Sequence, residues 1–377
     1  MRRTLKAALA GALCAAGARQ LVRAVRRREA GGPRVLLLSY HRVSLDFHAD
    51  AADSLPSLLV SADTLHRQLS QLARERDVVS LDDACRILAE PPARRPTARD
   101  VAVITFDDGY VGVHAHALPV LRDLRMPATV FMATGFADTT RRLAHDRLWG
   151  TLRELWRRRI PPAAAALPAP VQELLDSSTA PGPAATLDRL ISRLRHDELV
   201  SVAAALEARL GTSEQDLPEE SRLMTWDELR ELEASRVAVG GHTVNHAVLA
   251  NLPISRARAE IDGCMRDLRL HLAPGPRHFA YPNGYYTPAV KRAVRDAGFV
   301  AAVTTEDEEN RRGGDLWALR RKVLWENSTL GFSAYSPALA ACNLDSVFAF
   351  LGCQRAVPGE RPDSDGEESG EPERAVV

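Results

Sequence analysis

The ten residues 101–110, VAVITFDDGY, constrain this chain more than any other stretch. Their first half is an unbroken β-branched and apolar run, the pattern of a strand covered on both faces that ends in a turn. Two carboxylates follow side by side. Adjacent side chains on an extended backbone point to opposite sides, so Asp107 and Asp108 suit two separate tasks, one holding a metal and the other handling protons. Gly109 lets the chain bend sharply behind them. Taken alone, the tripeptide reads more simply as an Asp-Asp-Gly turn, and its partners elsewhere in the chain decide the matter.

Strand and helix patterns alternate around this segment. Residues 35–40, VLLLSY, form an apolar run that breaks at His41-Arg42-Val43. His41 therefore sits at a strand's carboxyl end, where α/β proteins gather their chemistry, although a lone histidine is more often structural. Leucines 65, 69 and 72 have helical spacing behind Ser61, a fitting N-cap. Residues 78–81 read as a short strand, 82–88 as a helix, 114–124 as a helix and 126–132 as another buried strand. Such alternation implies a parallel α/β barrel or sheet. The pattern lapses over 138–221, a helical insertion that either packs over the sheet or shapes a substrate groove. It resumes where Thr225 and Glu228 stand at capping-box spacing.

A strand at 237–240 then delivers Gly241-His242-Thr243-Val244-Asn245-His246. Two histidines four residues apart on one helical turn can reach the same ion, and with a carboxylate they make a site with positions open to water and substrate. By itself such a pair is equally often structural. A further loop, 279–286 (FAYPNGYY), joins aromatic rings to a Pro-Asn-Gly turn, which suits a sugar face and an oxyanion but also reads as ordinary turn packing.

Lys+Arg and Asp+Glu balance at 49 each, so nothing in the net charge of zero points to a nucleic-acid partner. Five cysteines (Cys14, Cys85, Cys264, Cys342, Cys353) lack CxxC spacing and suggest neither a zinc knuckle nor a disulfide framework. Residues 1–34 open with Arg2, Arg3 and Lys6 before a small-residue apolar run and a cluster of arginines. That is the pattern of a signal-like or membrane-associating N-terminus, with an extracytoplasmic or membrane-associated setting favoured over a cytoplasmic one. The main domain is read as 35–335, followed by an extension at 336–357 and a disordered acidic tail at 358–377.

TFDDG, HTVNH and YPNG, in that order, resemble the polysaccharide deacetylases with a NodB-homology domain, the carbohydrate esterase 4 group. The likeness covers roughly 34–137 and 222–330. LLLSYHRV and MTWDELREL look most like the branch that acts on poly-N-acetylglucosamine, in which a histidine motif is moved to the front, and His41 matches it. The resemblance implies a distorted, incomplete (β/α) barrel and a divalent ion, zinc above all, on Asp108, His242 and His246. It also implies Asp107 as base, His41 as acid to the departing amine, and Asn283 as a backbone oxyanion donor. Tyr281 and Tyr285 are left to contact the sugar of an N-acetylated polysaccharide.

Three departures stand out. Ala247 replaces the proline that usually follows the second histidine. Ala280 stands where an arginine steadies the base in many members, leaving Arg321 to supply that role from the last strand. Asn283 replaces an aromatic residue. Two other functions compete with deacetylation: an inactive carbohydrate-binding protein on the same fold, and a non-haem iron oxygenase. The oxygenase signature wants a carboxylate close after the first histidine, and Thr243-Val244 has none.

Overall fold

The computed structural model describes residues 3–30, 33–90, 99–161, 167–176, 182–273, 275–331, 334–352 and 359–361. Its strands in chain order are β1 (Val35–Tyr40), β2 (Arg42–Ser44), β3 (Leu59–Ser61), β4 (Asp77–Val78), β5 (Val101–Phe106), β6 (Ala128–Met132), β7 (Val237–Gly241), β8 (His278–Ala280), β9 (Ala301–Val303) and β10 (Arg321–Val323). The main sheet runs β10-β1-β5-β6-β7-β8-β9, with β4 also against β5, while β2 pairs with β3. Every pairing is parallel. The sheet curls until its edges nearly meet. Leu319, just before β10, bridges Val303 of β9, with Thr304 N–H donating to Leu319 O at 2.7 Å and Leu319 N–H to Ala302 O at 2.9 Å. The fold is thus α/β, as the alternating pattern implies, and an incomplete barrel, as the resemblance implies.

Both β1 and β5 are buried along their whole length, which explains their unbroken apolar character. Their register pairs Tyr40 with Phe106, so His41 and Asp107 leave the sheet side by side. Met132 of β6 pairs with Gly241 of β7, which brings His242 to the same rim.

The insertion supplies the helices Ala144–Arg158, Ala169–Leu175, Pro183–Arg193 and His196–Leu210. These close on a core of their own that includes Leu148, Leu152, Leu155, Leu190 and Leu206. At the other pole, the N-terminal helices Arg3–Ala15 and Ala18–Glu29 are bent by 74° at their junction, the first packing on the helix Pro337–Leu344 and the second on Val347–Phe350. Ala10, Val22, Leu339, Cys342 and Val347 are buried between them. Asp345, fully buried, gathers Arg19 Nε at 2.6 Å, Arg34 Nη2 at 2.9 Å and Arg76. Among the described residues no single helix is long and apolar enough to cross a membrane. Of the acidic tail, all but 359–361 lies outside the described residues.

Candidate active site

Asp108 is the pivot of the site. Its backbone is left-handed (φ 72°), a costly conformation for a residue with a Cβ, and Gly109 continues it at φ 90°. A Cβ at Gly109 would lie 2.1 Å from Met132 Sδ, on a left-handed backbone that strains any other residue. The turn places Asp108 Oδ1 3.3 Å from His242 Nε2 and 3.0 Å from His246 Nε2. Burial favours the neutral acid, but His246 and His242 hold the Asp108 carboxyl well below the ordinary range.

The two histidines do not converge through a helical turn, as their spacing suggests. Residues 242–248 form an irregular loop in which Thr243 (φ 65°) and His246 (φ 56°) are also left-handed. Glu260 pins this loop by accepting from Val244 N–H at 3.0 Å and Asn245 N–H at 2.8 Å. Ala247, where the family this chain resembles usually has proline, donates its N–H to Thr243 Oγ1 at 3.2 Å, a bond that proline cannot make. His242 Nδ1 donates to Ala280 O at 2.7 Å, leaving the Nε2 lone pair to face Asp108 and His246. Ligand atoms of the three residues lie within 4.8 Å of one another. Two ligands each about 2.0–2.1 Å from one tetrahedral ion are roughly 3.3 Å apart, so this donor set fits a divalent cation such as zinc.

Asp107 turns to other partners. Arg321 grips it with Nη1 on Oδ1 and Nη2 on Oδ2, both at 2.7 Å, and Ser39 Oγ donates to Oδ2 at 3.2 Å. Arg321 is itself fixed by Thr304 O at 2.8 Å and Thr105 Oγ1 at 2.9 Å. Burial would raise the Asp107 pKa, yet Arg321 outweighs it and keeps the group ionised below the ordinary carboxylate range. His41 Nε2 lies 3.8 Å from Asp107 Oδ2. Burial lowers its pKa despite Asp108 and Asp107 nearby, so the resting imidazole is neutral at pH 7.

These groups open into a cleft of about 320 Å³, lined also by Asn283, Trp325, Leu58, Leu187 and Asp188. Asn283 takes the left-handed conformation (φ 58°) at its rim. Tyr281 is not available to a sugar. It is buried, and its hydroxyl donates to Trp317 O at 2.9 Å while its ring stacks on Tyr286. Tyr285 lies outside the cleft lining, with the Arg361 guanidinium 3.8 Å from its ring centroid. Trp325, two residues past β10, is the large aromatic residue among those lining the cleft. Its position directly after a strand end was the available signal. His145, from the first helix of the insertion, stands with its ring centroid 5.0 Å from that of His246, and no motif pointed to it.

An incomplete parallel barrel with Asp-Asp and His-His pairs at the carboxyl rim of its strands has the design of a NodB-type hydrolase. A family model for polysaccharide deacetylase matches residues 94–167 and 181–302, over half of the chain, and the chain belongs to that family; it is a polysaccharide N-deacetylase. The solved structure of the deacetylase PplD of Streptococcus pyogenes in complex with acetate is similar at TM-score 0.53 and 16% identity, covering 83% of this chain and 99% of that chain. IcaB from Ammonifex degensii gives TM-score 0.51 at 20% identity, covering 83% and 98%. BC0361, a polysaccharide deacetylase from Bacillus cereus, gives 0.50 at 15%, covering 82% and 69%. At these identities the likeness is one of fold. A search of curated proteins found no match.

Proposed function

We propose that this deacetylase is metal-dependent and acts on an N-acetylated hexosamine polymer of the exopolysaccharide or cell-wall kind, releasing acetate and a free amine. The observation that carries this reading is the pairing of a clamped base, Asp107 with Arg321, with an adjacent Asp108–His242–His246 donor set. Those three residues would hold a divalent ion, which when bound would supply Lewis-acid chemistry toward the acetamide carbonyl and the attacking water. Asp107 takes the proton of the attacking water, with Arg321 fixing the carboxylate's orientation. Because His41 rests neutral, it delivers a proton to the leaving nitrogen only after receiving one, and the 3.8 Å separation from Asp107 makes that carboxyl the nearest source. Asn283, which lines the cleft, gives its backbone N–H to the oxyanion. Trp325 offers its face to the sugar ring. The intact base and clamp favour catalysis over a purely binding role.

The deciding experiment is acetate release from N-acetylglucosamine oligomers before chelation, after it, and with zinc restored. Loss and recovery support the reading; no release from folded, zinc-loaded protein overturns it. We also propose membrane association through the N-terminal helices, on which Leu5 and Leu21 are 59% and 65% exposed. Sedimentation with anionic vesicles tests this, and a protein left wholly in the supernatant refutes it.

A further inference from the structure

We propose that His145, carried by the helical insertion, is a substrate-positioning residue whose Nδ1 accepts a hydrogen bond from a hydroxyl or acetamido N–H of the sugar in the cleft. This rests on the deacetylase reading above. The argument follows one proton. The Asp146 carboxylate can only accept, so the Tyr110 hydroxyl, 2.8 Å from Asp146 Oδ2, donates its hydrogen there. Tyr110 O can then only accept from His145 Nε2, also at 2.8 Å. Nε2 therefore carries the hydrogen, and in the neutral ring Nδ1 keeps a lone pair.

The relay is rigid. Arg42 Nη1 lies 3.4 Å from Asp146 Oδ1 and its guanidinium 4.8 Å from the Tyr110 ring centroid, and all three residues are buried. Nδ1 has no partner among the described residues, nor is it among the sealed, unpaired polar atoms of the interior. The ring lines the cleft. An ordinary structural histidine would have both nitrogens engaged; this one has Nε2 locked on Tyr110 and an unpartnered Nδ1 in a ring that lines the cleft.

The test compares zinc-loaded full-length protein with His145→Leu and His145→Asn, measuring kcat, KM and bound zinc on N-acetylglucosamine oligomers. Losing one neutral hydrogen bond should raise KM about 3- to 10-fold in His145→Leu. The effect on kcat should be smaller and zinc content equal to wild type. His145→Asn, which retains an acceptor, should recover part of the loss. An unchanged KM in His145→Leu overturns the proposal, as does a fall in kcat that tracks lost zinc. A wild-type protein that releases no acetate would instead sink the deacetylase reading itself.

Independently, the geometry points to a disulfide between Cys14 and Cys342. Their Sγ atoms are 3.7 Å apart. Cys14 Sγ lies 3.9 Å from Ala338 O and Cys342 Sγ 3.8 Å from Ala10 O, so the two helices run antiparallel with each cysteine one turn from the other's level. Helical side chains tilt toward their own N-terminus, which aims each sulfur at the other. Closing to about 2.05 Å releases two protons and passes two electrons to a disulfide-bearing oxidant, which becomes two thiols. Full-length protein treated with glutathione disulfide should yield a non-reduced peptide pair joining Cys14 to Cys342. Its Tm should exceed that of the reduced protein by several degrees, a gain absent in Cys342→Ser. Complete alkylation of both thiols after oxidant treatment, or linkage to another cysteine, overturns the assignment.

Discussion

Arg321 on β10 reaches past β1 to meet Asp107 at the end of β5, two N–H···O bonds of 2.7 Å joining residues that are not on neighbouring strands. The pair is buried, so its integrity matters twice: it orients the base and neutralises a charge that has no water to solvate it. Arg321→Ala should lower stability by about 3–5 kcal/mol in urea unfolding, because it strands the Asp107 carboxylate. Arg321→Lys should retain more stability yet lose the fork that holds both oxygens. If either substitution leaves the urea midpoint and acetate release as in wild type, the clamp is not needed.

Substitutions at the rim should separate metal binding from proton transfer. Asp107→Asn should keep its zinc and lose at least about 100-fold in kcat, whereas His246→Ala should lose zinc and turnover together. His41→Ala should bind zinc normally and slow roughly 10²- to 10⁴-fold. Zinc content by plasma mass spectrometry, read beside acetate release, checks all three, and an active Asp107→Asn protein would remove the assigned base.

The Pro-Asn-Gly loop depends on one missing side chain. Gly284 has φ 75°, and a Cβ there would sit 2.1 Å from Thr305 Oγ1 and 2.6 Å from Thr305 N. Gly284→Ala should therefore cost more than about 1 kcal/mol and lower kcat by displacing Asn283. Thermal melts and kinetics together test this; a variant with normal Tm and kcat contradicts it.

The Asp345 cluster predicts a pH dependence. Burial opposes ionisation, but Arg76, Arg19 and Arg34 depress the carboxyl from 3.8 to about 2. A depressed folded-state pKa stabilises fully above the unfolded value and fades as pH falls through the folded one, here between 3.8 and about 2. Asp345→Asn should lose about 3–5 kcal/mol at pH 6, chiefly by stranding the buried Arg76 guanidinium, since Arg34 keeps Asp100 and Glu309 and Arg19 keeps Glu75. The gap to wild type should narrow as the pH is lowered from 4 to 2. A gap that stays constant over that interval in urea titrations excludes this linkage.

Much of this was legible because the chemistry sits at strand ends, where local pattern and function coincide. VAVITFDD announces a buried strand and its carboxylates, and the Thr225 capping box forms with Glu228 N–H 3.2 Å from Thr225 Oγ1. Arg321 was readable only as a candidate from the last strand, since the sequence does not say that β10 lies two strands from β5. His145 was not legible at all. It belongs to a segment whose apolar spacing describes only its own helical core, and its approach to His246 is a matter of how that core docks. The aromatic run near Tyr281 misled in the opposite sense: ring chemistry suits sugars and interiors alike, and here burial claimed Tyr281.

Leu319, whose bridge to Val303 brings the sheet edges together, stands two residues before Arg321. The backbone that fastens the seam is thus the same backbone that carries the clamp to the base. Thr304, whose N–H closes this seam on Leu319, also accepts from Arg321 Nε through its own carbonyl, so loosening the seam should loosen the clamp on Asp107 while β1 still holds the strand. Amide exchange at Thr304 and Leu319 should accordingly report how often that support of the clamp is released.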